Sequence, residues 1–154
     1  MSNIILNRIK VTTEHYEKLN EIANEHMFEK YVPQPKESEE EGWDWYTWNI
    51  ENWGSKSGIY PDKDRIHIGQ GEFTFYTANG AMGYKVLDEL LKDIPTLSFY
   101  SCEVEEGLSR TEHYIDGILV RTVKINDDNL CDLYLEEDKY GFLKLEKVKR
   151  EGIF

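Results

Sequence analysis

Residues 3–11, NIILNRIKV, are rich in aliphatic and β-branched side chains over a length that suits a strand, and Thr12 and Thr13 follow as candidate helix caps. From Glu14 onward the apolar positions fall at Tyr16, Leu19, Ile22, Ala23 and Met27. That three-and-four spacing lays one stripe along a helix, and it predicts a helix over 13–27. Residues 28–42 break every period. Pro33 and Pro35 exclude helix and central strand there, and an acidic run surrounds Ser38, so the segment reads as an exposed insert. The following stretch, GWDWYTWNIENWG at 42–54, holds all four tryptophans of the chain. Trp45, Trp48 and Asn52 lie at i, i+3 and i+7, while Asn49 and Trp53 lie at i and i+4, which predicts a short helix ending at Gly54.

Beyond it, RIHIG and GEFTFYTA pair as a predicted hairpin across a tight GQG turn, with Phe73, Phe75 and Thr77 on one face. Val86, Leu87, Leu90, Leu91 and Ile94 recur at helical spacing until Pro95, predicting a helix over 82–94, and TLSFYSCEV at 96–104 reads as another strand. The order β-α-insert-β-β-α-β is a split βαβ arrangement, four antiparallel strands carrying two helices on one face. Further on, IDGI carries an Asp-Gly turn signal between two strand-like runs, and NLCDLYLEEDKYGFLKLEKV suggests two more strands. The expectation is a single α+β domain over 1–154, with an exposed insert at 28–42 and a β-rich C-terminal extension from about 110 that extends the sheet. Leu19, Ile22, Phe75, Leu87, Leu90 and Phe99 are the expected shared core.

Charge narrows the partners. With 30 acidic and 18 basic residues, the formal net charge is −12, a field that repels a polyanion and works against phosphate-mediated nucleic-acid binding. It suits a basic protein partner, and it also suits plain solubility. Cys102 and Cys131 stand far apart and outside any CxxC pattern, as free thiols in a reducing compartment do. Asn7 and Arg8 interrupt the N-terminal apolar run too early for a signal peptide, and no run approaches the ~18 apolar residues of a membrane span. A cytoplasmic protein without a membrane partner is expected.

Several of these stretches resemble a known family. VPQP at 32–35, WYTWNIENWGSK at 45–56, FTFYTANGA at 73–81, the helix after it, IPTLSFY and EEG are similar to the YubB-type ferredoxin-like proteins of plasmids, phages and related mobile elements. The resemblance covers roughly residues 3–120, and the Asn-Trp-Gly segment is its most specific part. It implies the ferredoxin-like fold, which the element order suggests independently, and brings no established activity. The chain departs from the family in two places: Ser57-Gly58 stand where an aromatic is usual, and Asn79 with Gly80-Ala81-Met82 replaces Trp followed by Ser-Pro-Pro. Both changes remove large or rigid groups.

No pattern of reaction chemistry emerges. On one continuous helix His15 and His26 are separated by ~16 Å along the axis, too far to share a metal. HExxH, HxH, paired cysteines and GxSxG are all absent, and GQG lacks the helix and basic residue of a phosphate loop. No metal and no cofactor is expected. Asp44, Glu51, Asp62 and Asp64 offer carboxylates, and an enzyme with Asp44, Glu51 or His67 as acid or base beside the Trp-rich segment is one alternative. Single-stranded nucleic-acid binding on Phe73, Phe75, Phe99 and Tyr100 is another, and an acidic mimic of nucleic acid a third.

The leading expectation is a small, acidic, non-enzymatic binding protein of a mobile element. It would act by protein–protein contact on a host or element-encoded protein, for instance as an inhibitor of host defence. Trp45, Trp48, Asn49, Asn52 and Trp53 are its candidate binding residues, since recognition sites combine large rings with directional polar groups. The same rings also suit plain packing. Trp48 and Trp53 are expected to lie against the strand around Phe73 and Phe75, with Trp43 or Trp45 the more exposed.

Overall fold

Strand β1 (Ile4–Lys10) alternates buried and half-buried residues along its whole length, as a strand does when one face meets a core. It pairs antiparallel with β3 (Glu72–Ala78) on one side and β4 (Leu97–Glu103) on the other. Short β2 (His67–Gly69) pairs with β3, while β5 (Ser109–Ile115) and β6 (Ile118–Val123) continue outward from β4. The result is an α+β fold whose six-stranded antiparallel sheet has the order β2-β3-β1-β4-β5-β6. The protein is described by a computed structural model over residues 3–35, 44–103 and 109–123. The predicted strands after residue 130 and the acidic run near Ser38 lie outside the described residues, as do Trp43 and Cys131.

Helices α1 (Tyr16–Ile22), α2 (Met27–Tyr31), α3 (Trp45–Trp53) and α4 (Tyr84–Asp93) supply the other half of the core. Ile9 of β1 sits opposite Phe73 and Phe99, and these three meet Leu19, Ile22, Leu87 and Leu90, all fully buried. The predicted hairpin turns at Gln70 and Gly71, with φ of 41° and 78°, and the Asp-Gly turn at Asp116 and Gly117, with φ of 51° and 79°. Positive φ at both central positions gives the turn twist that a two-residue hairpin needs.

Two elements differ from their prediction. The expected helix over 13–27 is a 3-10 turn (Thr13–His15) followed by α1, and it stops at Ala23, which is extended. Asn24 ends it: its side-chain oxygen accepts from the His26 amide at 2.8 Å, a local bond that competes with the helical ladder. The chain then restarts as α2, inside the stretch read as an exposed insert. Phe28 there is buried, packing edge-on to both Phe75 and Trp53. Tyr31 of α2 donates to Asp93 of α4 at 2.6 Å, so residues 28–31 are tied to the core.

The core face of the sheet turns polar toward one end. Asn7, fully buried, donates to Thr77 at 3.0 Å and accepts from the Met82 amide at 2.9 Å, holding the loop before α4 on the sheet. Arg110 and Glu112 of β5 share this face at 4% and 1% exposure. The hydroxyl of Tyr84, first residue of α4, accepts from Arg110 Nη2 and donates to Glu112 Oε2, both at 2.8 Å. Burial, reinforced by the neighbouring Glu112 charge, pushes the Tyr84 phenol up to about 12.

Candidate functional site

Helix α3 begins and ends on strong local signals. The Asp44 carboxylate accepts from the Tyr46 amide at 3.0 Å and the Thr47 hydroxyl at 2.8 Å, an N-cap that also draws its pKa below the usual value, the Thr47 bond first. Gly54 closes the helix in the left-handed conformation, φ 76°. A Cβ at Gly54 would lie 2.6 Å from the Gly83 Cα, and the Gly83 amide donates to the Trp53 carbonyl at 2.9 Å. The end of α3 and the start of α4 therefore meet backbone to backbone.

The five candidate residues divide between two roles. Trp53 is buried at 7% exposure and donates its indole N–H to the Val32 carbonyl at 2.7 Å. Its ring packs edge-on to Phe28, which in turn packs on Phe75, so its route to the strand runs through α2. Asn49, buried at 3%, accepts from Gln34 and donates to the Lys56 carbonyl, both at 2.8 Å. The VPQP stretch is thus held from α3 through Val32 and Gln34. Trp48 is half-buried and packs edge-on to Trp53 at 5.4 Å between centroids, less enclosed than expected. Asn52 donates to the Trp48 carbonyl within its own helix and accepts from Lys85 at 2.9 Å.

Trp45 stands apart. It is 48% exposed, the neighbouring Tyr46 is 38% exposed, and their rings stack edge-on at 5.9 Å. Asn79 donates weakly to the Tyr46 hydroxyl at 3.4 Å. This pair is the largest exposed aromatic surface on the described part of α3. Tyr46 is not among the expected residues, although it lies three and seven residues before Asn49 and Trp53 and so begins their stripe at the exposed end of the helix.

The alternative residues are not gathered. Asp44 and Glu51 lie exposed on α3, which packs on the core side through Trp53, whereas His67 sits opposite Thr74 on the other face of the sheet. Phe73, Phe75 and Phe99 are buried beneath the helices, so they offer no stacking surface to a nucleic acid; only Tyr100 points the other way, opposite Arg8. His15 and His26, expected on one helix, belong to separate elements. Among the described residues no three His, Cys, Asp or Glu side chains gather as a metal-binding group, and no helix is long and apolar enough to cross a membrane. Cys102 is a free thiol. His113, which sequence patterns left without a role, is buried beside Ser98, 3.0 Å from Nδ1 to the hydroxyl, and burial lowers its pKa to about 4.

No protein-family model matches the chain, and no curated protein or solved structure matches it.

Proposed function

We propose that this chain is a small acidic binding protein without catalytic activity, acting by protein–protein contact through the first turn of α3. The observation that carries the reading is the exposed Trp45–Tyr46 pair on a helix whose Asn49 and Trp53 are engaged inside the molecule. Aromatic side chains dominate binding hot spots, and a rigid, capped helix presents them at small entropic cost. A net charge of −12 favours a basic partner surface around that anchor.

The strand order β2-β3-β1-β4, with helices in the β1–β2 and β3–β4 connections, supports reading the first four strands as a ferredoxin-like unit. Together with the Asn-Trp-Gly resemblance this favours a YubB-type protein of a phage or plasmid, working in the cytoplasm. Its partner would be a host or element-encoded protein, and inhibition of a host defence protein is the form of contact the reading favours. Affinity capture from host extract, with the wild type and Trp45→Ala side by side, tests it. A partner retained by the wild type and lost by the variant supports the proposal, and identical recoveries from both count against it.

A further inference from the structure

On the sheet face turned away from the helices, a cleft of about 460 Å³ opens between the floor of the sheet and the 3-10 turn Lys63–Arg65 that leads into β2. Its size falls in the ~300–1,000 Å³ range of small-molecule sites. Leu6, Arg8 and Tyr76 form much of the floor, and Asp64, Arg65 and His67 stand along the wall.

Arg8 is held in place on this floor. Its Nε lies 3.0 Å from Glu72 Oε1 and 3.1 Å from the Thr74 hydroxyl, its guanidinium faces the Tyr100 ring at 5.8 Å, and its side chain is 22% exposed. Arg65 is different. Its guanidinium stands 5.7 Å from the centroid of the Tyr76 ring, and its contact with Asp62 is a 3.8 Å pair between two half-exposed side chains. Such an exposed pair is weak, so Arg65 can turn to a ligand at little cost. The cleft therefore offers the Tyr76 ring with the Arg65 guanidinium standing over it and able to swing aside, the exposed imidazole of His67 close by, and the Asp64 carboxylate as a hydrogen-bond acceptor.

We propose that this cleft binds a nucleoside monophosphate, or a small molecule of the same chemistry: a flat ring, a hydroxyl-bearing middle and one anionic end. The ring lies on Tyr76, the hydroxyls reach Asp64, and the anion meets Arg65 and His67. Cationic and aromatic groups converge here in a chain of net charge −12, and that overall field sets the size limit. A polyanion is repelled along its length; inside the cleft Arg8 and Arg65 balance Asp64 and Glu72, and a single anionic group there meets Arg65 released from its weak pair with Asp62. The site is independent of the α3 surface, because it lies on the opposite side of the sheet.

The test is an amide-resolved NMR titration of the full chain with adenosine monophosphate, with adenosine and inorganic phosphate titrated separately. Saturable shifts confined to residues 6–8, 64–69 and 72–76, with Kd below about 1 mM and each fragment weaker by about ten-fold or more, are expected. Arg65→Gln, a change at a half-exposed turn position, should weaken the nucleotide by about ten-fold and leave the remaining spectrum in place. Tyr76→Leu should do the same by removing the ring surface. No saturable shift at millimolar nucleotide overturns the proposal, as do shifts that Arg65→Gln leaves unchanged. Phosphate alone reproducing the full effect also overturns it, by removing any role for the ring.

Discussion

The indole N–H of Trp53 meets the carbonyl of Val32 at 2.7 Å, joining the end of α3 to a proline-flanked stretch 21 residues earlier in the chain. The ring that carries this donor is buried against Phe28. Trp53→Ala removes packing and donor together and should destabilise the fold by ~3–5 kcal/mol. Trp53→Phe keeps a ring but strands the Val32 carbonyl, for a cost of ~1–3 kcal/mol. Urea unfolding of both variants checks the pair. A cost below ~1 kcal/mol for the alanine change would show that Trp53 is no anchor.

Gly54→Ala combines a left-handed backbone with a Cβ directed into the Gly83 backbone. The left-handed conformation alone costs a non-glycine residue ~1–3 kcal/mol, and backbone on both sides prevents simple relief of the clash. A drop in Tm is expected, larger than that for alanine at Gly117, whose added Cβ would meet nothing within 4 Å although its φ is also positive. Equal drops would mean that the Gly54–Gly83 approach is unimportant.

The Tyr84 hydroxyl links the buried Arg110 to Glu112. Glu112→Ala removes the buried carboxylate that faces both Arg110 and the Tyr84 hydroxyl and should cost ~3–5 kcal/mol. Tyr84→Phe removes only the bridging hydroxyl and should cost less, ~1–3 kcal/mol. Denaturant midpoints of the two variants measure the ranking, and the reverse order would contradict it.

Burial depresses the His113 pKa from 6.5 to about 4, so between those values the unfolded chain binds the proton that the folded chain refuses. This contribution is fully present above pH 6.5 and is lost as the pH falls toward 4, by an amount on the order of 3 kcal/mol. Stability should therefore rise with pH across that window. The difference between wild type and His113→Gln isolates the effect from the carboxylates that titrate nearby. Parallel profiles for the two proteins would place the pH dependence elsewhere.

Local rules made much of the fold legible. Helical spacing located Leu19, Ile22, Leu87 and Leu90, and glycine chemistry located the turns at Gly71 and Gly117 and the helix end at Gly54. The break at Asn24 was hidden because the apolar stripe continues through Ala23 and Met27 while a side chain captures the backbone between them. The burial of Arg110 and Glu112 left no sign in the sequence, because it is the strand register that turns these polar side chains inward. The tryptophan segment pointed to α3, to a buried Trp53 and to an exposed Trp45, but not to the partners of Trp53, since Val32 and Phe28 arrive from α2 and its C-terminal end. The cleft was out of reach for the same reason: Arg8, Arg65 and Tyr76 belong to three elements that only the sheet brings together.

The central claim is that α3 is a packing anchor at Asn49 and Trp53 and a recognition surface at Trp45 and Tyr46. Calorimetric titration of the captured partner into Trp45→Ala, alongside the wild type, tests it most directly. Because Trp45 is half exposed, the variant should keep wild-type stability to within ~0.5 kcal/mol. Its affinity should nevertheless fall by ~2 kcal/mol or more, as the loss of a hot-spot ring requires. Undiminished affinity in the stable variant would make the whole tryptophan cluster structural and place the partner surface elsewhere.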